Sequence, residues 1–170
     1  MSTHCMIAYK KDGKYVAAFC DRDGYLLGAG VALMKSFNSM SKAMKLVNDG
    51  SMSCAREGMS YLSKEHCCGK PDMSKIFELP AAERWDLIEA MPLGWTEEMF
   101  NAQFEESKPK AFSSLNELAR YADSVYAKDS IYVYDCESKM WEMRSKSGKL
   151  VSLEYAIETE LITDPRETVA

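Results

Sequence analysis

The residues best suited to chemistry lie in one short segment near the start of the chain, Asp21-Arg22-Asp23-Gly24-Tyr25. Two carboxylates spaced two positions apart, on a turn between a strand and a helix, have the ligand chemistry for a divalent cation or a ligand amine. The same residue types also suit a tight turn, because Asp bonds its own backbone and Gly adopts positive φ. Both interpretations stay open, whereas an EF-hand is excluded because no further acidic ligands follow at its spacing.

Glycines continue from this segment into a predicted helix, at Gly24, Gly28 and Gly30. Backbone N–H groups at such a helix start can cradle a phosphate. The dinucleotide pattern G-x-G-x-x-G is not met, since Leu33 stands where its third glycine belongs. Close packing of the helix on the strand is the competing explanation for these glycines. The candidate ligand- or partner-binding residues are therefore Asp21, Arg22, Asp23, Gly24, Tyr25, Gly28 and Gly30.

Cysteine and histidine offer two further possibilities, and neither has a specific pattern. His66-Cys67-Cys68 together with Cys54 lacks the paired spacing of structural zinc sites. His4 adjoins Cys5 in a predicted strand, where neighbouring side chains point to opposite faces and cannot easily form a nucleophile–base pair. We therefore assign no catalytic residue, no metal ligand and no cofactor. The sequence favours a non-enzymatic protein and leaves enzymatic activity open.

Aromatic side chains concentrate in the last third of the chain, at Tyr132, Tyr134 and Trp141. Aromatic residues on strands usually pack across the sheet in the core. If alternate members faced the solvent, they would instead form a platform for a partner. These three residues are therefore a second candidate set for partner binding, with the core as the favoured alternative.

The composition is that of a globular protein, with 46% hydrophobic and 28% charged residues in 170. This length predicts one domain over residues 1–163, followed by a frayed tail at 164–170. The net charge of −5 disfavours a nucleic-acid partner, which requires a basic face. No apolar run approaches the ~18 residues of a membrane span, and the start lacks a signal-peptide pattern. The six cysteines are expected to be reduced.

Local patterns predict a fold in which both ends of the chain contribute strands. Asp12-Gly13 between two β-like runs, Met6–Tyr9 and Tyr15–Phe19, indicates a hairpin. Helices are predicted at 31–37, 40–48, 81–91, 97–105 and 114–123, and C-terminal strands at 131–135, 139–144 and 150–153. The hairpin and the C-terminal strands are each too small to be stable alone. We expect an α+β fold, with one antiparallel or mixed sheet built from both and the central helices packed on it.

The N-terminal pattern resembles a family of small proteins encoded by tailed bacteriophages. Members of that family begin Ser-Thr-Arg/His-x-x-Ile, as Ser2 to Ile7 do here, and carry Cys-His-x-Asp-Gly-Tyr after a hairpin. Cys20 to Tyr25 follow the second motif, except that Asp21 and Arg22 replace a histidine and an aromatic residue. Family members also often end in an aromatic strand, a turn and a Trp-bearing strand, as this chain does.

The resemblance implies a viral protein that acts in the cytoplasm of the host bacterium. An acidic chain without enzyme motifs, rich in Met and aromatic residues, suits stoichiometric association with a basic protein face. We therefore expect a host bacterial protein as its partner, and the role of an inhibitor or counter-defence factor. The alternative function is binding, sequestration or hydrolysis of a small ligand or nucleotide at Asp21–Gly30. A homo-oligomer is compatible with either function.

Overall fold

In the computed structural model of this chain, the described residues are 3–52, 54–55, 68, 78, 80, 94–128 and 130–163. The chain divides into two compact units, one formed by Met1–Tyr61 with Lys108–Ala170 and the other by Leu62–Ser107. Compact units can share one folding domain, so the single domain over 1–163 stays a prediction. The frayed tail at 164–170 and the helix at 81–91 lie outside the described residues.

The first unit contains a mixed sheet whose six strands come from both ends of the chain. In spatial order they run β3-β2-β1-β4-β5-β6, with β1 and β4 parallel and all other neighbours antiparallel. This confirms the predicted α+β fold, in which the hairpin and the C-terminal strands share one sheet. The strands are β1 (Cys5–Lys11), β2 (Lys14–Cys20), β3 (Lys110–Phe112), β4 (Ile131–Asp135), β5 (Met140–Arg144) and β6 (Leu150–Ser152).

The hairpin between β1 and β2 follows directly from its two turn residues. Asp12 and Gly13 have φ angles of 52° and 74°. A two-residue turn with positive φ at both positions matches the right-handed twist of the flanking strands. The register therefore starts at Lys11 opposite Lys14 and continues without a bulge to Cys5 opposite Cys20.

The described helices agree with four predictions and add two elements that were not predicted. The helices at 31–37, 40–48, 97–105 and 114–123 are confirmed, within two residues at each end. A π-helical turn at Leu26–Gly30 and a C-terminal helix are additional. The helices are α1 (Val31–Ser36), α2 (Met40–Asn48), α3 (Glu97–Ser107), α4 (Leu115–Ser124) and α5 (Leu153–Thr163). Within the described parts of the chain, none of them is long and apolar enough to cross a membrane.

Helices cover both faces of the sheet in the first unit. On one face, the π-helical turn, α1, α2 and α5 pack on a core that includes Ile7, Tyr132 and Trp141. On the other face, α4 packs through Leu118 and Ala122 on the opposite side chains of β1 and β4. Residues 131–134 of β4 are all buried, because this strand has a core on each side.

Candidate functional site

The turn that follows β2 is held in place by backbone hydrogen bonds to two other segments. Asp21 N–H donates to the Met52 carbonyl oxygen at 3.0 Å, and Met52 N–H donates to Phe19 at 2.9 Å. Gly24 N–H donates to the carbonyl oxygen of Thr3 at 2.7 Å. The turn is therefore fixed to the start of β1 on one side and to the segment around residue 52 on the other.

N–H groups at the helix start, where a phosphate was considered, already donate hydrogen bonds to carbonyl oxygens of the protein. Ala29 N–H donates to the Asp23 carbonyl oxygen at 2.7 Å, and Gly28 N–H donates to Tyr25 at 3.0 Å. Asp23 adopts a left-handed conformation with φ of 54°, which brings its carbonyl into this bond. A phosphate at this point would have to displace these bonds as well as the one from Gly24 N–H.

Close packing accounts for the three glycines of this segment. A Cβ on Gly24 would lie 2.6 Å from the Thr3 carbonyl oxygen, and one on Gly28 would lie 2.5 Å from that of Asp23. A Cβ on Gly30 would lie 3.1 Å from Leu26. Because backbone atoms cannot move aside as a side chain can, Gly24 and Gly28 are the two positions where a side chain is excluded.

Tyr132 joins this turn to the centre of the sheet. Its hydroxyl donates a 2.8 Å hydrogen bond to the Gly24 carbonyl oxygen, and the side chain is fully buried. Burial raises the pKa of Tyr132 far above its usual value, and the nearby Cys5 thiol adds to the effect. The phenol therefore stays neutral and acts as a structural hydrogen-bond donor.

The two carboxylates of the turn have different surroundings. The Asp21 carboxylate lies 3.4 Å from His4 Nδ1 and 3.7 Å from Arg22 Nε. His4 Nδ1 also lies 2.7 Å from the Asp21 carbonyl oxygen, and the His4 ring lies beside Phe19. Asp23 instead lines a cavity on the side of the π-helical turn. Among the described residues, no three His, Cys, Asp or Glu side chains are grouped so as to hold a metal ion.

Three of the candidate residues, Asp23, Tyr25 and Gly28, line one cavity. Its volume is about 200 Å³. Typical pockets for drug-sized ligands measure about 300–1,000 Å³, so this cavity suits a ligand smaller than a nucleotide. The cavity is lined by Asp23, Tyr25, Gly28, Ala29, Ala32, Cys54 and Ala55. The contribution of Cys54 and Ala55 had no sequence signal, since their approach depends on the backbone bonds of Met52.

The cysteines weighed for zinc do not form a described cluster. Cys54 is buried and lines this cavity, whereas Cys68 lies in the second unit, where its thiol donates to the Thr96 carbonyl oxygen at 3.8 Å. His66 and Cys67 lie outside the described residues. These positions give zinc no support.

The predicted aromatic platform is corrected by burial. Tyr132, Tyr134 and Trp141 are 0%, 2% and 3% exposed. Tyr134 and Trp141 make an edge-to-face contact, and Trp141 Nε1–H donates to the Phe37 carbonyl oxygen at 2.8 Å. All three side chains point into the face that α1, α2 and α5 cover, so they form core and no exposed platform.

An exposed surface does occur next to two of these aromatic residues, on α5. A groove of about 160 Å³ lies between the end of α1, the start of β5 and the start of α5. Met140 on its rim and Tyr155 on α5 are 48% and 65% exposed. The groove is lined by Met34, Asn38, Tyr134, Lys139, Met140, Trp141, Ser152 and Glu154. Sequence reasoning missed this surface because α5 was not predicted.

Comparison with known proteins adds no relative to this description. No protein-family model, curated protein or solved structure matches the chain. The similarity to phage proteins therefore depends on the quoted motif residues and stays a prediction.

Proposed function

We propose that this chain is a phage-encoded protein that binds a host bacterial protein stoichiometrically and inhibits it, as a counter-defence factor in the host cytoplasm. The observation that carries the proposal is the surface formed by the outer side of α5 and the adjoining groove, called the α5 surface below. It combines exposed apolar side chains with a single sign of charge along the helix.

An exposed tyrosine among carboxylates gives α5 the composition of a binding helix. Tyr155 lies between Glu154 and Glu158 on the exposed side, and the helix carries no basic residue. Tyrosine is enriched among the residues that dominate binding energy, since it supplies a large rigid contact and a polar tip. Carboxylates around such an anchor attract a basic partner over a distance of about one Debye length.

The groove adds adaptable apolar contacts beside this anchor. Met34 and Met140 line it, and the buried rings of Tyr134 and Trp141 form its rigid base. Methionine side chains adjust to irregular partner surfaces at small cost. A partner that inserts an apolar side chain here would place its basic residues opposite the carboxylates of α5.

The partner is therefore a protein with a basic face and a protruding apolar residue. Charge attraction of this kind accelerates association and weakens as salt screens it. The fold provides the rigid support for the surface, because Leu153 and Ile157 fix α5 on the sheet core.

The test begins with affinity purification of the tagged chain from host cells, followed by reconstitution with the purified partner. We expect one host protein at near-equal stoichiometry whose activity falls on binding. Tyr155→Ala should raise the dissociation constant about 30-fold or more, as for a binding hot spot. Glu158→Lys should raise the dissociation constant by a larger factor at low salt than at high salt.

Tyr126→Asn is the matched control for these variants. Tyr126 is 87% exposed in the same unit and has a φ of 60°, a conformation that asparagine tolerates. Binding should survive this change. Binding that is lost in the control and kept in Tyr155→Ala would show that the α5 surface is not the interface. Recovery of the chain with no protein at near-equal stoichiometry would overturn the proposed function.

A second candidate function is small-ligand binding at the cavity beside Asp23, which the concave lining and the Asp23 carboxylate favour. A ligand bound only by the folded chain raises its melting temperature. A thermal-shift screen with inorganic phosphate, amines and nucleotides tests this, with Asp23→Asn as the variant that should lose the shift. We assign no catalytic activity. Nucleotide hydrolysis that disappears in Asp23→Ala would reverse that assignment.

A further inference from the structure

Cys5 and Cys20 lie directly opposite each other at the open end of the N-terminal hairpin. Met6 N–H donates to the Ser130 carbonyl oxygen, on the β4 side of β1. Because the backbone N–H and C=O groups of consecutive strand residues point to opposite sides, those of Cys5 point to β2. The Phe19 carbonyl oxygen and the Asp21 N–H both bond to Met52, on the side of β2 away from β1. The backbone N–H and C=O groups of Cys20, between them, therefore point to β1. Opposite residues that exchange both hydrogen bonds have Cα atoms about 5.5 Å apart, within the 4.4–6.8 Å range of disulfides.

Both side chains point to the same face of the sheet and are shielded from water. Neither cysteine is in a disulfide, and each is 0% exposed, in the core covered by α1, α2 and α5. Cys5 and Cys20 are paired in the register and each thiol shifts the pKa of the other, so the two side chains are neighbours. We propose that Cys5 and Cys20 form a redox-active dithiol, which a peroxide converts into a cross-strand disulfide.

The surroundings give the two thiols different roles. Interaction with the Cys5 thiol lowers the pKa of Cys20, against the opposing effect of burial, and backbone hydrogen bonds at Arg22 and Ala55 lower it further. As a thiol, Cys20 donates to the Arg22 carbonyl oxygen at 3.3 Å. The hydrogen bond to Cys20 and burial raise the pKa of Cys5. Because the thiolate is the nucleophile, Cys20 is the attacking residue and Cys5 the resolving one.

The cavity beside Asp23 brings a small oxidant close to Cys20. Ala55 lines this cavity, and its backbone is close enough to Cys20 to lower the pKa of that thiol. A volume of about 200 Å³ admits hydrogen peroxide, since one water takes about 30 Å³ in the liquid. Ala55 is therefore the residue that connects the cavity with Cys20.

The chemistry balances with hydrogen peroxide as the two-electron oxidant. The Cys20 thiolate attacks one peroxide oxygen, the O–O bond breaks, and a sulfenic acid and hydroxide form. The Cys5 sulfur then attacks the sulfenic sulfur, the S–S bond forms, and the hydroxyl leaves as water with the Cys5 proton. The proton lost by Cys20 converts the hydroxide into the second water. The two thiols are oxidised and the peroxide is reduced.

The test uses the full reduced chain treated with hydrogen peroxide and digested without reduction. We expect the peptides containing Cys5 and Cys20 to be joined, with the mass of two hydrogen atoms lost, and dithiothreitol to separate them. Cys136→Ser is the control, since Cys136 is also a free thiol but lies at the other end of the sheet region, after β4. It should leave the crosslink unchanged.

Cys5→Ser supplies the mechanistic test, because it removes the resolving thiol and retains the attacking one. We expect dimedone to trap a sulfenic acid on Cys20 in this variant. A crosslink between Cys20 and Cys54, or dimedone on a different cysteine, would overturn the assignment. If Cys5→Ser does not fold, the peptide map of the unmodified chain decides: peroxide that leaves Cys5 and Cys20 as free thiols while oxidising other cysteines refutes the proposal.

Discussion

Replacing Tyr132 by phenylalanine removes a single hydroxyl from the interior of the first unit. That hydroxyl donates the 2.8 Å bond to the Gly24 carbonyl oxygen, and residue 24 is itself buried. Phenylalanine keeps the ring and its packing but leaves the carbonyl oxygen without this donor. An unsatisfied buried acceptor costs about 1–3 kcal/mol. We therefore expect Tyr132→Phe to lower the free energy of unfolding at pH 7 by about 1–3 kcal/mol.

Alkaline pH provides a second signature of the same group. Burial raises the folded-state pKa of Tyr132, whereas the unfolded chain ionises near the usual value of 10.0. Stability from the neutral phenol is complete below that pH and is lost as the pH rises above it, because ionisation then favours the unfolded state. At pH 11 the loss from this group is about 1.4 kcal/mol. The phenylalanine variant has no such loss, so the gap between the two proteins narrows by that amount.

Urea unfolding followed by far-UV circular dichroism, at pH 7 and pH 11, measures both effects. Tyr126→Phe is the control, because an 87% exposed hydroxyl should change the free energy of unfolding by less than about 0.5 kcal/mol. A gap between wild type and Tyr132→Phe that is equal at the two pH values would refute the reasoning on the buried neutral phenol. A gap at pH 7 no larger than that of the control would refute the hydrogen bond to Gly24.

Three further predictions concern the glycine turn and the start of α4. Gly24→Ala should destabilise the chain by about 1–3 kcal/mol, because its Cβ would lie 2.6 Å from the backbone oxygen of Thr3. Gly13→Ala has open space around it and tests the cost of positive φ alone in the same urea assay. Ser114→Ala should cost about 0.5–2 kcal/mol, since the Ser114 hydroxyl accepts the Glu117 N–H at 3.1 Å as an N-cap. Hydrogen bonds from the Ser113 hydroxyl and N–H lower the pKa of Glu117. The stabilisation of the fold by the Glu117 carboxylate is therefore present above the usual carboxyl pKa and is lost as the pH falls through the lowered pKa. Glu117→Gln should accordingly lower the urea midpoint at pH 7 and have less effect at pH 3.

The parts of the fold that were predictable are those specified by neighbouring residues. Asp12-Gly13 determines the hairpin, and Ser114 with Glu117 determines the start of α4, because each signal acts over a few positions. β3 has three residues and forms only by pairing with β2, so its sequence carries no strand signal of its own. In α5, apolar and acidic residues do not separate clearly into two faces, which concealed the helix.

The candidate site was predictable in its residues and not in its partners. Asp23, Gly24 and Gly28 were identified from their types, and they do lie together on one turn. The approach of Cys54 and the bond from Tyr132 depend on tertiary pairing, which one sequence does not encode locally. For the aromatic residues of β4, the favoured core alternative is confirmed and the platform alternative is wrong. Alternation indicates exposure only where a strand has one covered face, and β4 has two.

The parallel pairing of β1 with β4 has a consequence for synthesis. Met6 lies opposite Ile131, so one edge of the N-terminal hairpin has no partner until most of the chain has left the ribosome. At a synthesis rate of about 5–20 residues per second, this interval lasts about 5–20 s. An unpaired edge with Met6 and Ala8, both buried in the finished protein, is a site for mispairing between nascent chains. Expression yield should therefore depend on translation speed through residues 20–130 and on chaperones more than the stability of the finished fold would suggest.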